Sequence, residues 1–370
     1  MGFTCGIVGL PNVGKSTIFN ALTSAKAAAE NFPFCTIEPN TGAIPVPDPR
    51  LNHLAKLNSS AKLIPTQVTF VDIAGLIKGA SKGEGLGNQF LSHIRSVDAI
   101  AHVVRCFSDP NVIHVDGSVD PFRDIEVIET ELILSDMDSL SKQISRLEKG
   151  AKSGDKASKL NLDLLISLDK HLAQGKPART FLIPEGAEEA RLAFNLLLTS
   201  KPVMYVANVD ESELGDIPNI VGTRPVDKVA KLAKEQRASL VVISGKVEAE
   251  LSELSIEDRK AYLDELKMPS AGLDRMAMAG YELLGLITFF TVGPKEAHAW
   301  TATKGTKAPG AAGKIHSDFE KGFIRAEIIS YADYEAAGSE AKVKENGKLR
   351  TEGKEYIVQD GDVVHFRFNV

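Results

Sequence analysis

Gly9-Leu10-Pro11-Asn12-Val13-Gly14-Lys15-Ser16 is the stretch on which the reading of this chain turns. It matches GxxxxGK[ST] in full, a pattern that has a mechanical meaning only between a strand and a helix. Both flanks supply that context: Phe3 to Val8 is a short apolar run ending at Gly9, and Ile18, Phe19 and Leu22 recur at helical spacing. In such an arrangement the glycines let successive backbone N–H groups turn toward phosphate oxygens. Lys15 places a point charge at the β and γ positions, and the helix N-terminus adds partial positive charge. Ser16 is then a candidate magnesium ligand. Gly9, Asn12, Val13, Gly14, Lys15, Ser16 and Thr17 are the candidate nucleotide contacts, with Lys15 also a catalytic candidate. The competing reading is a tight turn with no ligand.

Working outward, the next apolar run, Thr66 to Val71, ends at Asp72-Ile73-Ala74-Gly75. A carboxylate at the end of that strand faces the metal, and the glycine amide can meet the γ-phosphate. Asp72 is therefore a candidate metal ligand and Gly75 a candidate catalytic position. DxxG alone is common in turns; its place after a strand and downstream of a phosphate loop favours function. Thr36, in Phe32-Pro33-Phe34-Cys35-Thr36, is the candidate switch threonine completing the metal shell, with Thr41 as its competitor. Leu76 stands where Ras-type enzymes carry a glutamine that orients the attacking water. Leucine has no group for that task, so another side chain, a bound cation or a partner must position the water. Asn12 either helps hold a monovalent cation, K+ being the candidate, or is a turn residue.

Asn208-Val209-Asp210-Glu211 follows the apolar run Val203 to Ala207, where guanine-nucleotide enzymes carry NKxD. The aspartate of NKxD accepts hydrogen bonds from guanine N1–H and the 2-amino group, whereas adenine presents an acceptor at N1 and has no 2-amino group. Here Val209 replaces the lysine that packs on the base, and Glu211 is one methylene longer than the aspartate, so guanine selectivity is expected to weaken. Ser244-Gly245-Lys246, after Leu240 to Ile243, is the matching loop, with an ordinary turn as its competing reading. Asn208, Val209, Glu211, Ser244 and Gly245 are the candidate base contacts.

The chain has 370 residues, 43% of them hydrophobic, and a net charge of −6. That excludes a disordered tail protein and a globally basic nucleic-acid coat, and leaves room for two or three domains. No apolar run is long enough for a membrane span, so no membrane partner is expected, and a monomer is. Cys5, Cys35 and Cys106 are widely separated, without a CxxC, which argues against a disulfide framework and a zinc site. The N-terminus lacks a charged signal region. A cytoplasmic location is expected.

Apolar runs at Ala99 to Val104, Pro202 to Ala207 and Leu240 to Ile243 join the first two as strands of a parallel sheet with crossover helices. Ile133, Met137, Leu140, Ile144 and Leu147 then step by fours and threes, and Leu160, Leu164, Leu165, Leu168 and Leu172 run back after a turn. An inserted antiparallel helical hairpin follows. After a helix near Gly272 to Leu284, short β-rich runs at Ile287 to Val292, Ala297 to Thr301, Ile324 to Ser330 and Val363 to Phe368 predict a separate β domain. The stretch Lys304 to Gly313 reads as a Gly- and Ala-rich loop. The expected boundaries are 1–122 and 201–280 for the α/β domain, 123–200 for the insertion and 281–370 for the tail.

With the phosphate loop, FPFCTIEPN, DIAGLIKGAS, NVDE and AAGKIHSDFEKGFIRAE together, the chain resembles the YchF family of Obg-like ATPases over essentially its whole length. The resemblance implies a TRAFAC-class P-loop NTPase G domain with a mostly parallel sheet, an inserted coiled-coil hairpin and a C-terminal TGS domain of ubiquitin-like β-grasp fold. It further implies ATP preferred over GTP, magnesium dependence, ribosome or ribosomal RNA as partner, and a catalytic histidine at the position of His114. Judged without the family, His114 reads equally as a surface-loop histidine. Lys142, Arg146, Lys149, Lys152, Lys156 and Lys159 outnumber Glu148 and Asp155 at the hairpin tip. A phosphate backbone could use that patch, and a solvated tip explains it too. Two functional readings stand: an ATP-hydrolysing switch acting on ribosomes, and a nucleotide-sensing adaptor whose hydrolysis is incidental.

Overall fold

The computed structural model describes residues 3–28, 40–74, 86–112, 117–151, 156–216 and 218–369. In chain order its strands are β1 (Thr4–Val8), β2 (Thr41–Pro45), β3 (Lys62–Ile64), β4 (Gln67–Asp72), β5 (Ala99–Arg105), β6 (Val203–Asn208), β7 (Ser239–Ile243), β8 (Leu286–Val292), β9 (Glu296–Thr303), β10 (Phe323–Ser330), β11 (Arg350–Glu352) and β12 (Asp362–Phe368). The helices that position the site are α1 (Lys15–Ala28), α2 (Pro49–Leu57), α3 (Leu86–Ser96), α4 (Pro121–Ala151), α5 (Lys156–Leu172), α6 (Glu188–Asn195), α7 (Pro225–Glu235), α8 (Gly245–Glu253), α9 (Ile256–Glu265), α10 (Gly272–Leu283) and α11 (Ala308–Ile315).

One sheet has the order β2-β4-β1-β5-β6-β7. Its pairs β1 with β4, β1 with β5, β5 with β6 and β6 with β7 are all parallel. Every residue of β5 and β6 is buried, as expected of parallel strands covered on both faces. Open sheets of this kind bind ligands beyond the carboxyl ends of their strands. β1, β4, β6 and β7 end at Val8, Asp72, Asn208 and Ile243, so one edge of the sheet carries the phosphate loop, Asp72, the NVDE stretch and the Ser244 loop.

The inserted helices α4 and α5 pack along the apolar stripe read from the sequence. Ile133, Leu140, Leu165, Leu168 and Leu172 are buried, with Met137, Ile144, Leu147 and Leu164 packed beside them. Leu160 departs from that reading, being 47% exposed. The buried cluster also recruits Ala178, Ala187, Ala190, Ala193 and Leu197, so the insertion includes a third helix, α6, whose small residues pack closely. A polar seam ties α4 to the end of the insertion: the buried Asp136 carboxylate accepts from Leu198 N at 2.7 Å, Thr199 N at 2.8 Å and Thr199 Oγ1 at 2.6 Å. Arg179 Nη2 donates to Glu129 at 2.7 Å and to Tyr205 of β6 at 3.3 Å.

The chain divides into two compact units. The first includes 69–280, and the second joins 44–68 to the tail from Tyr281 onward. The expected domain 1–122 is thus corrected, because its residues 44–68 build into the tail unit. There β3 pairs in parallel with β9, Leu63 opposite Ala297, and Leu51, Leu54 and Ala55 of α2 share a core with Phe290, Ala299 and Ile329. Arg50 reaches both Asp48 and Asp360, at 2.8 and 2.7 Å. That unit's sheet is mixed, in the order β11-β10-β12-β8-β9-β3, with α11 packed on one face as a β-grasp requires. The expected loop Lys304 to Gly313 is a second correction: Ala308–Ile315 is helical, Pro309 opens it, and Ala308, Ala311 and Ala312 are fully buried. Small side chains that read as loop composition are what let this helix lie close to Phe289 and Phe366.

Candidate active site

The phosphate loop joins β1 to α1, and two positions there admit only glycine. A Cβ on Gly9 would lie 2.9 Å from the Val103 carbonyl oxygen, and one on Gly14, at φ +92°, would lie 2.2 Å from Asn208 Nδ2. Asn12 adopts φ 64°, the left-handed region that asparagine tolerates better than most residues. Ser16 and Thr17 are exposed in the first turn of α1, a turn without acidic residues, so the helix end keeps its positive partial charge. Lys15 forms an ion pair with Asp72, both side chains partly exposed. The parallel register, Ile7 opposite Asp72, brings them together. A hydroxyl and a carboxylate are hard oxygen donors of the kind magnesium takes, and it usually retains water and phosphate ligands besides.

Asn208 closes the other side of the loop. Its Nδ2 donates to Val13 O at 2.9 Å, and its Oδ1 accepts from Gly245 N at 2.9 Å. One buried amide thereby ties the phosphate loop to the start of α8. Val209 and Ser244 are each 2% exposed. Asp210 is engaged locally: its Oδ1 accepts from Ser212 N at 3.1 Å and Ser212 Oγ at 2.8 Å, which holds its carboxyl below the usual carboxylate range. Glu211 is half-buried, with Lys246 Nζ 3.6 Å from its Oε2. Burial pushes the Glu248 carboxyl up, while Gly272 N at 2.7 Å and Leu273 N at 3.2 Å donate to it, anchoring α8 to the first turn of α10.

The chain is 54% identical over 371 residues to "Ribosome-binding ATPase YchF" of Bacillus subtilis, each covered in full. It belongs to the YchF family. The protein of the same name from Escherichia coli O157:H7 is 52% identical over 370 residues, again with both chains fully covered. Among solved structures, the Schizosaccharomyces pombe YchF GTPase superposes with a TM-score of 0.87 at 37% identity, covering 99% of this chain and 98% of that one. A Pyrococcus horikoshii GTP-binding protein, at 21% identity and a TM-score of 0.60, shares the fold. The family model described as 50S ribosome-binding GTPase matches residues 4–147, and the YchF C-terminal model, described as a protein of unknown function, matches 286–369.

Three candidates of this YchF chain, Thr36, Gly75 and His114, lie outside the described residues, as does Leu76. So do the side chains of Lys149, Lys152 and Lys156 at the hairpin tip, while Lys142 is paired with Asp138 at 2.6 Å. Arg105, which the sequence reading passed over, is 2% exposed at the end of β5. It donates to the carbonyls of Phe107, Val112 and Asp109 at 3.2, 3.0 and 3.3 Å and packs over the Phe107 ring. An arginine closing a strand whose other residues, His102 apart, are apolar is the available signal.

Proposed function

We propose that this chain is a ribosome-associated P-loop NTPase that binds ATP in preference to GTP and hydrolyses it slowly, working as a nucleotide-controlled switch. The observation that carries the reading is the Asn208 clamp, which joins a glycine-shaped phosphate loop to the loop that would meet the base. Lys15 supplies its ammonium to the β and γ oxygens, and the amides between Gly9 and Thr17 supply neutral donors. A phosphate entering beside Lys15 takes over its pairing and frees the Asp72 carboxylate. Ser16 and Asp72, with Thr36, would hold Mg2+, which when bound neutralises charge on the phosphate oxygens. The water that attacks the γ-phosphorus finds no donor at Leu76, which is why slow intrinsic turnover is expected. Gly75 and His114 are assigned to this step by sequence pattern and family.

At the base, Asn208, Val209, Glu211, Ser244 and Gly245 form the contact set. The names carried by the bacterial relatives support ATP and the ribosome, and Glu211 in place of aspartate supports a weakened hold on guanine. Calorimetry on the full chain tests this: ATP should bind more tightly than GTP, and equal or tighter GTP binding overturns the assignment. Multiple-turnover rates should rise on adding ribosomes; an adaptor with incidental hydrolysis would show no rise. Asn12 at φ 64° serves the turn by itself, so K+ as a cofactor requires faster hydrolysis in potassium than in sodium, with the difference lost in Asn12→Ala.

A further inference from the structure

The base end of the site carries a charged group that the nucleotide contacts alone do not explain. Lys246 sits in the first turn of α8. A cation there faces the positive end of the helix and is disfavoured unless something offsets it. The offset comes from the NVDE stretch: Glu211 Oε2 lies 3.6 Å from Lys246 Nζ, and Asp210 also feels the lysine's charge. Tyr262 approaches from α9, and its hydroxyl donates to Glu250 Oε2 at 2.7 Å. The carboxylates of Glu250 and Glu211 both bear on that hydroxyl and push its pKa up to about 12, so it remains a protonated donor at neutral pH. Asp210 Oδ1 is taken up by Ser212, and Glu211 stands at the position from which a carboxylate would meet a base.

We propose that Lys246 is a positioning residue that holds the Glu211 carboxylate and thereby sets which purine the site accepts. The inference rests on Glu211 being a base contact, as argued above. Guanine asks its carboxylate to accept two donors, N1–H and the 2-amino group. A carboxylate already shared with an ammonium must give up part of that pairing to do so. Adenine has no 2-amino group and brings one amino donor, so it leaves the ion pair in place. The pair is solvent-exposed, so its contribution to selectivity is modest, about 2- to 5-fold.

The test is the ratio of dissociation constants for the non-hydrolysable imido analogues of ATP and GTP, measured on the full chain. Lys246→Met should tighten the GTP analogue relative to the ATP analogue by about 2- to 5-fold, the exposed-pair range. Tyr262→Phe, which removes a hydroxyl donated to Glu250, should leave the ratio unchanged. Lys246→Arg, which keeps the cation, should restore the starting ratio, and Lys246→Met should add nothing in a Glu211→Gln background. If Glu211→Gln moves the ratio but Lys246→Met does not, the positioning role is wrong while the base contact survives. If Glu211→Gln leaves the ratio untouched, the base contact fails and the positioning role falls with it.

Discussion

The phosphate end and the base end of this site are built in different ways. At the phosphate end, backbone conformation shapes the ligand's surroundings: Asn12 at φ 64°, Gly14 at φ +92° and a Gly9 crowded by Val103. At the base end, side chains from three separate segments contribute: Asn208 and Glu211 from the NVDE stretch, Lys246 from α8 and Tyr262 from α9. The first kind of site is dictated by one continuous stretch and tolerates almost no substitution. The second is assembled by tertiary packing, so its parts can change one at a time and adjust the ligand without destroying the site.

The largest effects are therefore expected at the phosphate end. Lys15→Ala should lower kcat by about 10²- to 10³-fold, the range seen when one preorganised charge or donor is removed from a transition state. Ser16→Ala should also abolish measurable turnover. Circular dichroism should show both variants folded, since neither side chain is part of the buried core. An unfolded Ser16→Ala chain, or one with undiminished turnover, would break the assignment.

Asn208 stands between the two ends, and its loss tests whether they are coupled. Asn208→Ala would leave Val13 O and Gly245 N without their partner, each costing about 1–3 kcal/mol if buried unsatisfied. ATP and GTP affinities should fall together, because losing the clamp disturbs the phosphate loop whichever base is bound. A selective loss of one nucleotide would show that Asn208 acts mainly as a base contact. Smaller again is the paired change Val209→Lys with Glu211→Asp. It restores an NKxD pattern and should shift preference toward GTP by roughly 1–3 kcal/mol, the scale of one buried donor satisfied or left unpaired. An unchanged ATP-to-GTP ratio in calorimetry would remove the base end from the account of selectivity.

How much of this was legible follows the same division. The phosphate loop and the strands around it could be read because their information is local: a motif, and apolar runs bounded by turn residues. The excursion 44–68 could not, because α2 and β3 pack against partners more than two hundred residues away and local periodicity carries no trace of that pairing. Helix Ala308–Ile315 was read as a loop because Gly and Ala serve both for flexibility and for close helix packing. Asn208 is legible as a candidate base contact, whereas its bonds to Val13 and Gly245 depend on strand register that only the folded sheet sets. Arg105 was hidden for a similar reason, its partners being backbone carbonyls of the loop it leads into.

Glu248 supplies the smallest and most indirect test, since it fixes α8 and touches no ligand. Burial raises its pKa, two backbone N–H donors and Arg275 oppose that rise, and Asp274 adds to it. In the folded chain the carboxyl therefore holds its proton to higher pH than in the unfolded chain. Between the ordinary glutamate range and the raised folded value the native state binds more protons, so this group's contribution to stability declines as pH increases. Glu248→Gln removes the titration and keeps one acceptor for Gly272 N while leaving Leu273 N unpaired. The substitution should therefore lower the urea midpoint, followed by far-ultraviolet circular dichroism, more at pH 5 than at pH 8. The gap grows by about 1.4 kcal/mol for each unit of displacement titrated between those points. An equal penalty at both pH values would mean that hydrogen bonding to Gly272 and Leu273 fully offsets the burial, and that α8 is anchored by a carboxylate ionised throughout.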